Sequence, residues 1–188
     1  MGMDEIEKFR DGIFALHTRR FGTVAEIMIK KLYDFEYTTK DINYDLKGKD
    51  GGKIEVKFSR VMKSNNEKIT EENIIGQIMN AAGGIEQRKM KSDEIGKYRF
   101  DSNMEQIKCY KFDVLYYGLF FSDVIEIYKI GTEEIKDCPG FSAKQHGKGI
   151  EKSSDEGQFH INQGTIEFHR KQHFVEKIDY KKLYNLLK

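Results

Sequence analysis

The chain of 188 residues predicts one α/β or α+β domain, with a mixed central β-sheet flanked by helices. Three observations support this fold class. Apolar residues recur at helical spacing in several segments, alternate with period two over residues 44–58, and crowd into two aromatic and β-branched stretches over residues 109–130. Neither a linker nor an internal repeat divides the chain, so a single domain is expected.

Helices are predicted where apolar side chains stand at positions i, i+3 and i+4: residues 4–16, residues from 23 onward, residues 70–82 and residues 180–187. Thr23 and Glu26 have the spacing of a capping box, which would start the second helix at Thr23. Gly83 and Gly84 would end the third helix, and Asp179 would cap the last.

Strands are predicted between these helices. Residues 109–121 and 124–130 are interpreted as two core strands, because aromatic and β-branched residues favour buried strands. Residues 158–168 are interpreted as a short strand pair. Residues 91–108 are polar and irregular, and residues 141–157 are rich in Gly, Ser and Lys, so we interpret both segments as exposed.

Residues 44–58 predict a β-hairpin whose register follows from its hydrophobic pattern. A two-residue turn at Asp50-Gly51 would pair Asp45 with Val56 and place a charge on the apolar face. A loop of three or five residues within 48–52 instead pairs Asp45 with Glu55, and Lys57 then lies on the same side. The buried face would carry the apolar residues of both strands: Tyr44, Leu46, Ile54, Val56 and Phe58.

Two carboxylates beside a lysine suit the hydrolysis of a phosphodiester. The carboxylates can hold Mg²⁺ in an oxygen shell that retains waters, and the ion stabilises phosphate charge and lowers the pKa of a bound water. The lysine could orient or deprotonate that water, or stabilise the transition state. The alternative is a solvated charged face, because acid-x-base tripeptides are common in a chain with 31 acidic and 32 basic residues.

Asp45 with Glu55-Val56-Lys57 resembles the Asp-x(n)-Glu-x-Lys signature of the PD-(D/E)XK nuclease superfamily, and in particular small type II restriction endonucleases. The resemblance runs over about residues 19–130, and the Pro that names the motif is replaced by Tyr44. It implies a restriction-endonuclease-like core over about residues 19–135, Mg²⁺ as cofactor, and catalytic roles for Asp45, Glu55 and Lys57, with the two acids as metal ligands.

The resemblance also implies further site residues on the helices beside the hairpin. Glu26 would be an additional catalytic acid and metal ligand, and its alternative role is the capping-box partner of Thr23. Gln77 matches a Gln often found on the helix after the catalytic lysine, and its alternative is an ordinary surface residue. Arg19 and Arg20 complete the candidate DNA contacts near the core.

The second half of the chain, about residues 140–174, resembles the variable recognition part of restriction enzymes. Basic and amide side chains of this kind contact phosphates and base edges. The candidates are Lys144, Gln145, His146, Lys148, Gln158, His160, Asn162 and Arg170. A polar surface loop and an exposed strand are the alternative. His169 and His173 have the spacing of a helical zinc pair, but the sequence offers no signature that completes a tetrahedral site.

We therefore expect a Mg²⁺-dependent, sequence-specific endonuclease of double-stranded DNA that leaves 5′-phosphates, as type II restriction enzymes do. A homodimer and functional pairing with a cognate DNA methyltransferase follow from that expectation. One alternative is a structure-specific nuclease, such as a Holliday-junction resolvase or a repair nuclease, against which the net charge of +1 argues mildly. The other is a DNA-binding module with an inert hairpin.

Composition also indicates where the protein works. No run of about 18 apolar residues is present, so a transmembrane helix is excluded. The acidic start lacks the apolar region of a secretory signal. Cys109 and Cys138 form neither a CxxC pair nor a disulfide framework, so we expect reduced thiols and a cytoplasmic protein without membrane contact.

Overall fold

The computed structural model describes residues 3–38, 43–64, 67–82, 84–143 and 156–188. Within these ranges the helices are α1 Met3–Ala15, α2 Thr18–Tyr33, α3 Ile74–Ala82, α4 Gly84–Arg88, α5 Ile166–Gln172 and α6 Tyr180–Leu187. The strands are β1 Glu36–Tyr37, β2 Leu46–Lys47, β3 Lys53–Arg60, β4 Asp101–Lys108, β5 Val114–Phe120, β6 Ile125–Gly131, β7 Phe141–Ser142, β8 Glu156–Asn162 and β9 Phe174–Ile178.

The strands form two sheets. The central sheet has six strands in the order β1-β2-β3-β5-β6-β9, and the second has three in the order β4-β8-β7. Strands β3 and β5 are parallel, whereas the other neighbours in both sheets are antiparallel. The predicted mixed α and β fold with a mixed central sheet is therefore confirmed.

Each face of the central sheet carries its own hydrophobic cluster. Tyr116 and Phe120 of β5 pack with side chains of α1, α2 and α6. Leu115 and Tyr117, which alternate with them, pack with side chains of β4 and β8. Helices thus cover one face, and the second sheet covers the other. This alternation places the polar residues of β3 between the two sheets, because Glu55 is the register partner of Leu115.

Several sequence predictions agree with these elements. Helix α1 matches its predicted segment, and Asp179 caps α6 by accepting a hydrogen bond from the Lys182 backbone N–H at 2.6 Å. The predicted start of α2 is wrong: the helix begins at Thr18, and Thr23 lies inside it, where its hydroxyl donates to the Arg19 carbonyl. Glu26 is therefore not a capping-box residue. No described helix is both long and apolar enough to cross a membrane.

Two predictions for the second half are wrong. Residues 101–108 form β4 rather than an exposed segment, because a bulge between Met104 and Ile107 hides the alternation of its buried side chains. Only the first half of the predicted strand pair exists, as β8, since residues 166–172 are helical. Strand β9 was not predicted.

The hairpin register is confirmed. Leu46 pairs with Ile54 and Lys47 with Lys53, so a five-residue loop, 48–52, joins β2 to β3. Gly51 supplies the positive φ of 88° that this loop requires. Tyr44 departs from the predicted face, since it packs against the cluster beneath the second sheet, whereas Leu46 packs against the helices.

Candidate active site

The candidate site lies where the pairing of β2 with β3 ends, next to Leu46 and Ile54. The backbone N–H of Asp45 donates to the carbonyl of Ile54 at 3.0 Å, which sets Asp45 opposite Glu55. The backbone N–H of Val56 donates its hydrogen bond to the Asp45 carboxylate, at 2.9 Å. Because strand pairing of β2 ends here, the edge of β3 beyond Val56 is not covered by β2. The hairpin therefore holds one carboxylate at an open strand edge.

Glu55 brings the second carboxylate to this place and is almost completely buried. Its Oε1 atom lies 2.8 Å from the Lys57 ammonium, which forms an ion pair on the same side of β3. Burial raises the pKa of Glu55 to about 7, and the charge of Asp45 adds to this effect, while Lys57 and the more distant Lys108 oppose it. A carboxyl group with this pKa is partly protonated at neutral pH unless a further cation stabilises its charged form.

Lys57 remains charged in this setting. Burial alone would lower the pKa of its ammonium, but the carboxylates of Glu55, Asp45 and Glu26 outweigh burial, so the pKa lies above its ordinary value. Of the roles that the sequence leaves open, this favours charge stabilisation over proton abstraction in the metal-free site.

Glu26 reaches the same site from α2. Burial raises the pKa of Glu26, and the nearby charge of Asp45 raises it further, whereas Lys57 lowers it. The helix is amphipathic, with Ala25 and Met28 buried against the sheet, and this packing leaves Glu26 half-buried at the strand edge. The structure thus brings together all four predicted catalytic residues: Glu26, Asp45, Glu55 and Lys57.

Two further residues border the site, and the sequence reasoning did not name them. Lys108, at the end of β4, lies near enough to Glu55 to lower its pKa. Burial and the nearby charge of Glu26 raise the pKa of Tyr37 in β1. The centre of its ring lies 5.2 Å from the Lys30 ammonium. The sequence did not indicate Lys108, because residues 101–108 lack the regular alternation that predicts a strand.

The residues present suit a divalent cation held largely by water. When all three acids are ionised, Glu26, Asp45 and Glu55 carry three negative charges against the two positive charges of Lys57 and Lys108. Asp45 and Glu55 are the pair placed opposite each other by register. Among the described residues, no group of three or more His, Cys, Asp or Glu side chains is arranged to enclose a metal. A cation at this site would therefore be held by fewer than three of these side chains, with water completing its shell.

The predicted DNA contacts fall into two groups by accessibility. Arg19 and Arg20 are exposed on the first turns of α2, and Gln77 of α3 is half-buried, its amide donating to Glu67. Lys144, Gln145, His146 and Lys148 lie outside the described residues. Arg19 and Arg20 are thus exposed basic groups on the helix that carries Glu26.

The remaining candidates have internal partners. Gln158 is buried and accepts a hydrogen bond from Asn103, and Arg170 pairs with Glu126 through two hydrogen bonds of 2.8 and 3.0 Å. Because these side chains stabilise the fold, the proposed DNA interface no longer includes them. His160 lies 3.0 Å from the Asp101 carboxylate. The side chain of Asn162 accepts a hydrogen bond from the Gly164 N–H, so these two half-buried residues support the turn after β8.

The histidine pair belongs to the core. His169 is fully buried, with Nδ1 2.8 Å from the Tyr117 hydroxyl, and burial lowers its pKa to about 4. The Nε2 atom of His173 lies 3.6 Å from the Cys138 sulfur. Both cysteines are free and buried.

Comparison of the chain with protein-family models finds no match, and comparison with curated proteins finds none.

Proposed function

We propose that the protein is a Mg²⁺-dependent endonuclease that hydrolyses phosphodiester bonds of double-stranded DNA at specific sequences and leaves 5′-phosphates. The observation that carries this proposal is the juxtaposition of Asp45 and Glu55 at the open edge of β3, with Lys57 ion-paired beside them. A cluster of partly buried carboxylates with too few positive partners is typical of a catalytic site rather than a solvated surface.

Each residue has a role that follows from its position. Asp45 and Glu55 would hold Mg²⁺, which supplies Lewis-acid stabilisation of phosphate charge and a water of lowered pKa. Lys57, charged and next to both carboxylates, places a positive charge where the negative charge of the transition state develops. Glu26 adds a carboxylate on the α2 side. Water attacks phosphorus, the bond from phosphorus to the 3′ oxygen breaks, and that oxygen takes a proton.

An open cleft adjoins the far end of β3, and its lining includes none of the four proposed catalytic residues. The cleft has a volume of about 320 Å³ and lies between the start of α2 and the end of β3. Its lining includes Thr18, which directly precedes Arg19 and Arg20, and Ser59, which is two residues beyond Lys57. Arg19 and Arg20 are exposed next to Thr18, and basic side chains of this kind can contact phosphates.

The test is a digest of a long sequenced duplex with Mg²⁺ or Ca²⁺, using the wild type, Asp45→Ala and Asp113→Ala. Asp113 is a matched control, because its carboxylate also accepts a backbone N–H of β3, from Lys53 at 2.7 Å, but lies outside the cluster. We expect discrete fragments from the wild type and Asp113→Ala with Mg²⁺ alone, and none from Asp45→Ala.

Other outcomes separate the alternatives. Cleavage of branched but not linear DNA would replace sequence specificity with structure specificity. A shift of DNA in Ca²⁺ without cleavage in any divalent ion would indicate a binding module. Cleavage that survives in Asp45→Ala would refute the assigned site.

A further inference from the structure

The cleft at the far end of β3 lies along the same strand as the proposed active site. Strand β2 does not cover β3 beyond Val56, and residues 58–60, which line the cleft, belong to this uncovered part. Ser59 lies on the same side of β3 as Lys57, because side chains two residues apart in a strand share a face. The two positions are about 7 Å apart at a rise of about 3.3 Å per residue. A phosphate beside Lys57 therefore brings its own nucleotide within reach of the cleft.

Strand β4 connects the site and the cleft from the second sheet. Lys108, at the end of β4, lies near enough to Glu55 to lower its pKa. Asn103, five residues earlier on the same strand, lines the cleft together with Ser59. Strand β4 therefore runs beside β3 from the site to the cleft. A ligand that extends along this side of β3 from Glu55 reaches Asn103.

The apolar walls of the cleft suit a flat aromatic ligand. Phe14 of α1 and Phe21 of α2 line it from the helical layer, and Phe58 lines it from β3. Aromatic side chains stack on nucleobases of any sequence, because every base has a flat π surface. The volume of about 320 Å³ is at the lower limit of ligand pockets, about 300–1,000 Å³, and suits a single heterocyclic base rather than a protein segment.

Arg60 brings a positive charge to these walls. Its guanidinium donates to the backbone carbonyls of Phe14 and Leu16 at 2.5 and 2.6 Å, and it lies 4.9 Å from the centre of the Phe21 ring. Burial lowers the pKa of Arg60, and no carboxylate of the described residues opposes that effect. A guanidinium without an acidic partner can donate to the oxygen and nitrogen acceptors on the edge of a base.

Asn103 offers the complementary acceptor. Its amide nitrogen donates to the side chains of Glu105 and Gln158 at 3.1 and 3.2 Å. Its Oδ1 atom is buried and has no hydrogen-bond partner within the described ranges. A buried acceptor without a partner costs stability, so a ligand that donates an N–H to it is favoured. Donor and acceptor groups between aromatic rings are what the edge and faces of a nucleobase require.

We propose that the cleft holds a nucleobase that has left the base stack of the DNA substrate, from a nucleotide next to the scissile phosphate. The base stacks against the phenylalanine rings, and Arg60 and Asn103 bond its edge. This inference rests on the proposed function, because DNA bound at Lys57 supplies the base. It also deepens that function, since the enzyme then reads its substrate partly by extruding a base.

The first experiment measures nucleotide binding without cleavage. The chain contains no Trp, so Thr18→Trp places a single fluorescent reporter in the lining of the cleft. Thr23→Trp is the matched control, because both threonines are exposed on α2 but lie about 140° apart around the helix. We expect at least one of dAMP, dCMP, dGMP and dTMP to quench the Thr18→Trp emission saturably. Deoxyribose 5-phosphate, which lacks the base, should not.

The polar contact is tested by adding Asn103→Leu to the Thr18→Trp reporter. This change removes the unpartnered acceptor at nearly constant volume, and we expect nucleotide binding to weaken by about tenfold. Glu105→Gln is the control, because Glu105 is exposed and bonded to Asn103 but does not line the cleft. Its nucleotide affinity should match that of the parent reporter.

A second experiment follows a base in duplex DNA. The duplex carries the cut site that the digest defines, with 2-aminopurine on one or the other side of the scissile phosphate, and Ca²⁺ replaces Mg²⁺. Because stacking quenches this base, its emission should rise when the wild type binds and extrudes it. Ser59→Phe, whose ring fills the cleft, should bind the duplex with a smaller rise.

The outcomes distinguish the cleft from the nuclease. Equal quenching in Thr18→Trp and Thr23→Trp, or equal quenching by deoxyribose 5-phosphate and the nucleotides, would overturn the nucleobase pocket. A 2-aminopurine emission that stays flat at both positions would overturn the entry of a DNA base, even if free nucleotides bind. Saturable nucleotide binding without any cleavage would uphold the pocket and refute the nuclease. Cleavage without saturable quenching would do the reverse.

Discussion

Glu55 on β3 and Glu126 on β6 are both buried on the face of the central sheet that meets the second sheet, but their surroundings differ. The Glu126 carboxylate accepts two hydrogen bonds from Arg170 and one from Tyr128, and Lys177 lies 3.1 Å away. Burial would raise the pKa of Glu126, but these partners outweigh it, so the pKa lies below its ordinary value. Glu55 has one lysine within hydrogen-bond distance and a second acid opposite, and its pKa rises to about 7.

This contrast distinguishes a fully paired buried carboxylate from one that lacks positive partners. A buried carboxylate that is fully paired ties elements together, here α5 and β9 to β6. A buried carboxylate left short of positive charge costs stability, and a protein gains from it when the site binds a cation or performs chemistry. The site on β3 is of the second kind.

The largest difference should appear in catalysis. Glu55→Gln removes a proposed metal ligand, so we expect single-turnover DNA cleavage to fall by about 1,000-fold or more, roughly 4 kcal/mol in the barrier. Glu126→Gln should cleave within a few-fold of the wild type at a temperature where it is folded. Equal losses in both variants would show that Glu55 is no more catalytic than Glu126.

The second difference concerns stability. Glu126→Gln removes the buried carboxylate that pairs with Arg170 and leaves Arg170 only the exposed Glu167, so we expect the free energy of unfolding to fall by about 3 kcal/mol at pH 7. Urea denaturation followed by circular dichroism measures this change. A loss below about 0.5 kcal/mol would mean that the Glu126 cluster is as weak as an exposed ion pair.

The same two residues show how far sequence reasoning reaches. The register that pairs Asp45 with Glu55 was predictable, because a shift by one residue would expose Ile54 and Val56. The sequence places Arg170 among the candidate DNA contacts, because basic side chains contact phosphates and base edges. Its partner Glu126 lies 44 residues away, and no feature of the neighbouring sequence indicates that pairing.

The fold shows the same limit. Periodic segments such as α1 were predictable, whereas β4 was not, since its partner β8 is more than 45 residues distant and a bulge breaks its alternation. The apolar pattern of α3 predicted a helix but not that its apolar face is exposed, because periodicity reports an apolar face and not what covers it.

The third difference lies in the pH dependence of stability. The pKa of Glu55 rises from 4.5 to about 7 on folding, so the folded state binds the proton more tightly. This stabilisation is complete below pH 4.5 and is lost as the pH rises through 7. In EDTA, Glu55→Gln should match the wild type near pH 4.5 and exceed it by about 1–3 kcal/mol at pH 8.

Glu126 should behave in the opposite sense. Its pKa is lowered on folding, so its stabilising effect is present at neutral pH and falls as the pH drops through the folded value. The cost of Glu126→Gln should therefore shrink in acid. Unfolding curves of both variants from pH 8 to well below pH 4.5 give the comparison. A stability difference from the wild type that changes with pH in the same direction for both variants would contradict it.

The smallest expected effect is stabilisation by the metal itself. If Asp45 and Glu55 hold Mg²⁺ only when folded, Mg²⁺ at ten times its Kd should stabilise the wild type by about 1.4 kcal/mol at pH 8. The effect should weaken below pH 7, where a proton competes for Glu55. Glu55→Gln should lose it, while Glu126→Gln should keep it in full, because the Glu126 carboxylate is already occupied by its own partners. Equal stabilisation of the two variants would place the ion elsewhere on the molecule, even if Glu55 proved essential for cleavage.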